Sequence, residues 1–279
     1  MTTSLLVSTM ISNKELTEKF MQRVGYRPNF DKPTTFNEKI GYRKLYQHAE
    51  EHVWMSNKIL SKTMAQKNCP EIKVHQVLWS GHEENMIVLK APCIVKTAAG
   101  SGQNIVVVDP VHYASRMEII GKLKKYKKKQ YGYDKGEWAY SEVPWTVFTE
   151  EYEERKFHDI KFFVFHGKVQ VVNVMTYAEG HRITNFSYFR PDGTFIDVKN
   201  GKEPVTVREV PLSAEALAKG VRLAEQCSGG CDFVRVDLYY IEKGKEWFFG
   251  EYTLYPTSGM SKFIPEEFDR ELGAYWRLP

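Results

Sequence analysis

Apolar positions recur along this chain in two rhythms. Helical spacing marks four stretches. Residues 35–47 carry Phe36, Ile40 and Leu45 near one face, and a second helix starting at Ser56 carries Ile59, Leu60 and Met64. Residues 113–130 hold Met117, Ile120, Leu123 and Tyr126 at steps of three, and residues 213–226 are amphipathic with Ser213 as N-cap. Thr35-Phe36-Asn37-Glu38 reads as a capping box, in which the threonine hydroxyl and the glutamate carboxylate satisfy each other's backbone donors. The second rhythm is short and strand-like: residues 86–90, 93–97, 103–109, 145–150, 159–166, 168–175, 232–240 and 246–251. His166-Gly167-Lys168 reads as a hairpin turn and Pro191-Asp192-Gly193 as a second turn. Neighbouring hairpins with few helices between them predict antiparallel sheets and an α+β fold.

The chain has 279 residues, enough at about 150 residues per domain for one large or two small domains. With 42% apolar and 27% charged residues it reads as globular, and a disordered chain is excluded. The net charge of +4 is too small to argue for nucleic acid, and no nucleic-acid partner is expected. Lys122, Lys124, Lys125, Lys127, Lys128 and Lys129 cluster on the predicted helix over 113–130. They read first as a solvated face, with phosphate or an anionic polysaccharide as other takers. No apolar run approaches the ~20 residues that a membrane-spanning helix needs. The run 5–11 is interrupted by Ser8 and Thr9 and follows no basic residue, so no secretory signal is expected. Cys69, Cys93, Cys227 and Cys231 form no CxxC pair and read as buried or reduced thiols. A cytoplasmic location is expected; the oligomeric state is open.

Three constellations carry chemistry. The first is Lys96-Thr97-Ala98-Ala99-Gly100-Ser101-Gly102: a strand delivers a lysine, a small-residue loop follows, then another strand. Glycines let backbone N–H groups approach an anion, and the lysine adds a point charge. The lysine precedes the glycines and a strand follows them, so this is not a Walker loop. The second is Arg235-Val236-Asp237 followed by Glu251-Tyr252-Thr253. Alternate strand residues share a face, so pairing the two strands brings together one arginine and two carboxylates. Two carboxylates suit Mg²⁺, which also takes phosphate oxygens and waters. The arginine can neutralise a transferring phosphoryl group. The third is Phe148-Thr149-Glu150-Glu151-Tyr152 at a strand end, where backbone groups can meet an adenine edge and Glu150 or Glu154 can hold N6 or ribose hydroxyls. Taken singly, a β-turn, a surface salt bridge and an ordinary strand end would look the same. Together and in this order they favour a nucleotide site.

That order of features resembles the ATP-grasp superfamily, and more closely its TupA-like branch, named for teichuronopeptide synthesis and found in capsule and cell-surface polysaccharide clusters. The branch resemblance rests on Pro33-Thr34-Thr35-Phe36-Asn37-Glu38-Lys39-Ile40, on residues 159–168 beginning Asp159-Ile160-Lys161, and on Phe249-Gly250-Glu251-Tyr252-Thr253-Leu254-Tyr255-Pro256. It covers about residue 30 to the end of the chain. The resemblance implies an ATP-grasp fold, with two α+β subdomains sandwiching ATP: a helical region at 1–70, a lid subdomain at 71–147 and a metal- and acceptor-binding subdomain at 148–279. It implies that Lys96 contacts the α/β-phosphates, that the loop with Ala99, Gly100, Ser101 and Gly102 caps them, and that Glu150, Glu151 and Tyr152 hold adenine chiefly through backbone. Asp159 and Lys161 would lie beside ribose and phosphate, Asp237 and Glu251 would hold Mg²⁺, and Arg235 would face the γ-phosphate. Thr253 stands where the usual third metal ligand is Asn. The turn at Ser258 and Gly259 would face the reacting carboxyl and its attacking amine.

The activity implied is an ADP-forming carboxylate–amine ligase working through an acylphosphate, with ATP and Mg²⁺ as cofactors. By resemblance the acid is a uronic acid of a surface glycan or its precursor, and the amine an amino acid. A kinase acting at the same ATP site, a nucleotide-binding module without catalysis and a glycosyltransferase are the other readings. Arginine binds both oxygens of a carboxylate at once. Arg182 or Arg190, beside His181 and Tyr188 on strand-like sequence, is therefore the expected anchor for the acidic substrate.

Overall fold

The fold is known from a computed structural model, and the structure describes residues 11–85, 91–108, 113–129, 131–177, 183–200 and 207–279. The expected strand at 86–90 and Arg182 lie outside the described residues. Four helices come first: α1 (Asn13–Val24), α2 (Phe36–Tyr46), α3 (Glu50–Ser56) and α4 (Leu60–Asn68). Both longer ones begin at reciprocal capping boxes, Ser12 with Glu15 and Thr35 with Glu38.

The strands divide between two main sheets. β1 (Lys73–Val74) is followed by β2 (Val77–Gly81), β3 (Cys93–Thr97), β4 (Asn104–Val107), α5 (Tyr113–Lys129), α6 (Trp138–Ser141) and β5 (Val147–Glu151). Strands β2-β5-β3-β4 make a small antiparallel sheet. Helix α5 closes one face of it, burying Ile119, Ile120 and Leu123 against Cys93, Val95, Val107 and Val147. The predicted lysine cluster sits on this helix: Lys127 pairs with Glu83, and the other five lysines are exposed.

After β5 come β6 (Phe157–Phe165), β7 (Lys168–Tyr177), β8 (Ile183–Phe189), β9 (Phe195–Ile196), β10 (Lys199–Asn200) and α7 (Ala214–Cys227). The chain ends with β11 (Phe233–Ile241), β12 (Glu246–Thr253), β13 (Phe263–Ile264) and α8 (Glu267–Tyr275). The large sheet runs β1-β12-β11-β6-β7-β8-β9, with only β1 parallel to its neighbour. Strands β10 and β13 pair separately. Because β1 joins the large sheet while β5 joins the small one, the sheets exchange strands across the boundaries expected at residues 71 and 148.

One face of β6 and β11 packs on α7, where Gly220 lets the helix come close: a Cβ there would stand 2.6 Å from the Trp247 ring. At one end of the other face, Phe163, Phe165 and Phe233 meet Phe36 of α2 and Trp276. The first helices are therefore part of the main core. Among the described residues no helix is long and apolar enough to cross a membrane. Cys69, Cys93 and Cys227 are buried and Cys231 is half-buried, all as free thiols.

Candidate active site

The sheets face one another across a cleft of about 1560 Å³. Its large-sheet wall is built by strand parity. Residues Arg235, Asp237 and Tyr239 of β11 point the same way, as do Asp159 and Lys161 of β6 beside them. In the paired register Asp237 lies opposite Glu251 and Arg235 opposite Thr253. A bulge between Asp237 and Leu238 shifts this register. Phe249 is then opposite Leu238 and packs in the core, while Glu251 and Thr253, two and four residues on, line the cleft. A regular strand would keep all three on one face.

These side chains are interlocked. Arg235 donates from Nε to Asp237 Oδ1 and from Nη2 to Oδ2, both at 2.7 Å, and from Nη2 to the Thr253 hydroxyl at 2.9 Å. Lys161 donates to both Asp159 oxygens at 2.7 Å and to Asp237 Oδ2 at 3.0 Å. Glu251 pairs with Lys58. Burial works against charge on Glu251, but Lys58, Arg235 and Lys161 outweigh it and hold its carboxyl well below the usual carboxylate range.

The small sheet supplies the other wall. Lys96 on β3 pairs with Glu150 on β5, and Lys62 of α4 reaches the second Glu150 oxygen at 2.9 Å. Glu150 is 2% exposed. Burial alone would raise its pKa, yet the two ammonium groups draw it down to about 2. Glu150 therefore binds lysines in this structure, where an adenine or ribose contact was expected. The Glu151 amide donates to the Gln76 carbonyl at 3.1 Å, and its carboxylate accepts from the Gln76 amide at 3.1 Å. It is thus engaged within the protein, and the chain leaves the sheet at Tyr152, which lines the cleft. Glu154 is exposed and lies outside the cleft, where Glu153 takes its place on the wall.

The glycine-rich loop joins β3 to β4 over the cleft mouth. The Thr97 hydroxyl is 2.6 Å from both the Ala99 carbonyl and Gln103 Oε1, pinning the loop base. Gly100 has φ +106°, and a Cβ there would stand 2.9 Å from Gln103 Oε1. Ser101 and Gly102 line the cleft, while Ala99 and Gly100 shape the loop behind them.

Three acceptor-side expectations resolve differently. Arg190 pairs with Glu271 of α8 and donates to the Tyr275 hydroxyl at 3.3 Å, outside the cleft. The Pro191-Asp192-Gly193 turn that follows β8 leaves it facing α8. Gly259 is buried against α2, where a Cβ would be 2.7 Å from Ile40; its small size serves packing and not approach to a substrate. Ser258 does line the cleft, and its carbonyl and hydroxyl both accept from Lys44, at 2.8 and 2.7 Å.

Four cleft-side groups have no counterpart in the sequence reading: Lys44, Lys58, Lys62 and Glu137. The first three come from the helical segment, about 190 to 214 residues from Glu251 and Ser258 in the chain for Lys58 and Lys44. Only their departure from the apolar face of a helix could have drawn attention to them.

A two-sheet α+β architecture with the charged groups gathered between the sheets is that of an ATP-grasp protein. The chain belongs to the TupA-like ATP-grasp family, which matches residues 38–277. No curated protein matches it. Among solved structures it is similar to the D-alanine–D-alanine ligase from Bacillus anthracis, at 16% identity over 72% of this chain and 57% of that one, TM-score 0.39. It is similar also to the D-alanine–D-alanine ligase from Helicobacter pylori, at 14% identity over 88% and 67%, TM-score 0.45. A third is the L-amino acid ligase from Bacillus licheniformis, at 14% identity over 80% and 47%, TM-score 0.44. The chain spans about half the length of the first and third of these.

Proposed function

We propose that the protein is an ATP-dependent ligase that joins a carboxylate to an amine through an acylphosphate, with ADP and phosphate as products. Family membership supports nucleotide binding, and the arrangement of the cleft supports its use in phosphoryl transfer. The observation that carries the reading is the register of β11 and β12: Arg235, Asp237, Glu251 and Thr253 converge on one face, across the cleft from Lys96.

In this reading the triphosphate lies between the walls, and Lys96 and Lys161 meet its phosphates. The loop bearing Ser101 and Gly102 covers it, and the base sits where the chain leaves β5 at Tyr152. Among the described residues no three Asp, Glu, His or Cys side chains form a metal-binding group by themselves. Asp237 and Glu251, opposite one another, still fit Mg²⁺ arriving with a nucleotide, because that ion commonly takes one or two carboxylates and completes its shell with phosphate and water. When bound there it would neutralise phosphate charge. The Thr253 hydroxyl already accepts from Arg235, so its part is to aim the guanidinium at the γ-phosphate. Positioning and charge neutralisation are most of what phosphoryl transfer asks of a protein.

The acid proposed is a uronic acid of a cell-surface polysaccharide or its precursor, and the amine an amino acid, in the cytoplasm where ATP is available. The test is to incubate the protein with Mg·ATP, D-glucuronate and a panel of amino acids and to measure ADP and phosphate. A ligase releases both and needs both substrates. A kinase releases ADP alone, and a binding module releases neither.

A further inference from the structure

The cleft wall also holds a buried constellation to which the proposed function gives no role. Glu137, at the start of α6, is 3% exposed, lines the cleft, and its Oε2 has no hydrogen-bond partner among the described residues. A buried carboxylate oxygen without a partner is costly, and a site that keeps one has a use for it. Beside it Lys44 is buried on α2 and donates to Ser258. Thr257 and Ser258 have φ +48° and +61°, so two successive non-glycine residues hold left-handed backbone there.

Charged groups from two elements surround Glu137, Lys44 from α2 and Asp134 and Lys135 from the turn before α6, and Ser258 from the turn after β12 hydrogen-bonds its side chain. Tyr131, Tyr140 and Tyr255 stand around them, Tyr131 and Tyr140 edge-to-face at 5.2 Å. The Tyr131 and Tyr140 phenols lie within electrostatic range of both Glu137 and Glu251. The constellation thus borders the carboxylates proposed for the metal. Burial raises the Glu137 carboxyl above its usual value, and Lys44 pulls the other way. Burial pushes Lys44 itself down to about 8.

We infer that Glu137 receives the amine substrate, binding its ammonium group through Oε2 and taking its proton as the amide forms. An anion among aromatic faces suits a primary ammonium. The inference rests on the ligase reading. In the step, the ammonium gives one proton to Glu137 and the freed lone pair forms the C–N bond to the acylphosphate carbonyl. The carbonyl–phosphate C–O bond breaks, and phosphate leaves with its electron pair and takes the second nitrogen proton, departing as hydrogen phosphate. A lone general base of this kind contributes about 10²–10⁴-fold in rate.

The experiment compares wild type with Glu137→Gln, using Mg·ATP, D-glucuronate and one of two nucleophiles: glycine, an ammonium at neutral pH, or hydroxylamine, already unprotonated there. The expected result is amide formation with glycine slowed at least ~10²-fold and hydroxamate formation unchanged. The deficit with glycine should narrow as the pH rises toward the amine's own pKa. Equal slowing with both nucleophiles would mean a structural role, and no slowing with either would also overturn the inference. Absence of hydroxamate from wild type would refute the ligase reading instead. Calorimetry with glycinamide then tests the ammonium site directly: wild type should bind it and Glu137→Gln should bind at least ~10-fold more weakly, about one factor of ten per 1.4 kcal/mol. Equal affinity, or no binding to wild type, would refute the site.

Discussion

Asp237 and Glu251 face one another across two strands, yet they hold charge differently, and this separates stability from chemistry. Asp237 is buried between Arg235 and Lys161. Replacing it with Asn leaves two cations facing a neutral amide, which for a buried pair costs about 3–5 kcal/mol. Glu251 pairs with Lys58 and feels Arg235 and Lys161 as well, but its side chain is 29% exposed, so Glu251→Gln should lower the thermal midpoint by less than Asp237→Asn while lowering turnover at least ~10²-fold, as loss of one transition-state contact does. Thermal melts beside kcat measurements check both. Near-normal turnover in both variants would refute the metal assignment. Glu150 makes a prediction in pH. Its carboxyl is held at about 2 against an ordinary 4.5. A depressed folded-state value means its stabilisation is complete above the ordinary value and is lost as the pH falls from about 4.5 to 2. Denaturant midpoints should drop through that window, and Glu150→Gln should flatten the drop. An unchanged slope in the variant would mean other carboxylates drive acid unfolding.

Among elements, the strands that build the site were legible where chemistry and spacing act locally. Arg235 and Asp237 share a face because they are two apart on one strand, and the Thr35–Glu38 box marks a helix start because its hydrogen bonds span three residues. The bulge beside Asp237 was not legible, because it lies in the pairing of two strands and not in either one's spacing; at the bulge a Cβ on Gly250 would stand 3.0 Å from the Asp237 carbonyl and the Tyr239 ring. Lys58, Lys62 and Glu137 were hidden for a related reason: their partners lie far away in the chain, and nothing in local spacing couples residue 58 to residue 251. The β3–β4 loop yields a graded prediction. Gly100→Ala must adopt φ +106° and push aside Gln103, whereas Gly102 at φ +71° has open space around it. Left-handed backbone costs an ordinary residue about 1–2 kcal/mol. Gly100→Ala should therefore raise the KM for ATP several-fold more than Gly102→Ala. Equal effects would show that the loop is not pinned at its base.

At the scale of the whole molecule, the helical segment at the start of the chain is locked to the large sheet. Fully buried Arg43 donates to Asp232 Oδ1 at 2.6 Å and to the Phe233 carbonyl at 2.9 Å, and it stacks 4.3 Å from the Trp276 ring. Gln47 and Trp276 also donate to Asp232, at 2.9 and 3.0 Å. The sequence shows Arg43 only as a charge on a helix, since its partners lie some 190 residues away. Arg43→Ala should destabilise the protein by about 3–5 kcal/mol, the cost of leaving a buried charge unpaired, read from chemical denaturation. A loss below 1 kcal/mol would show that the segment is held by apolar contact alone. This anchoring brings Lys58 and Lys62 to the cleft and Lys44 to Ser258 on its wall, and makes one site from distant parts of the chain. The central claim, that ATP activates a carboxylate there, is tested most directly with D-glucuronate carrying ¹⁸O in its carboxyl group, together with Mg·ATP and an amino acid. The account predicts that one labelled oxygen moves into the released phosphate, because the carboxylate oxygen bridges to phosphorus before the amine displaces it. Phosphate released without label would contradict it.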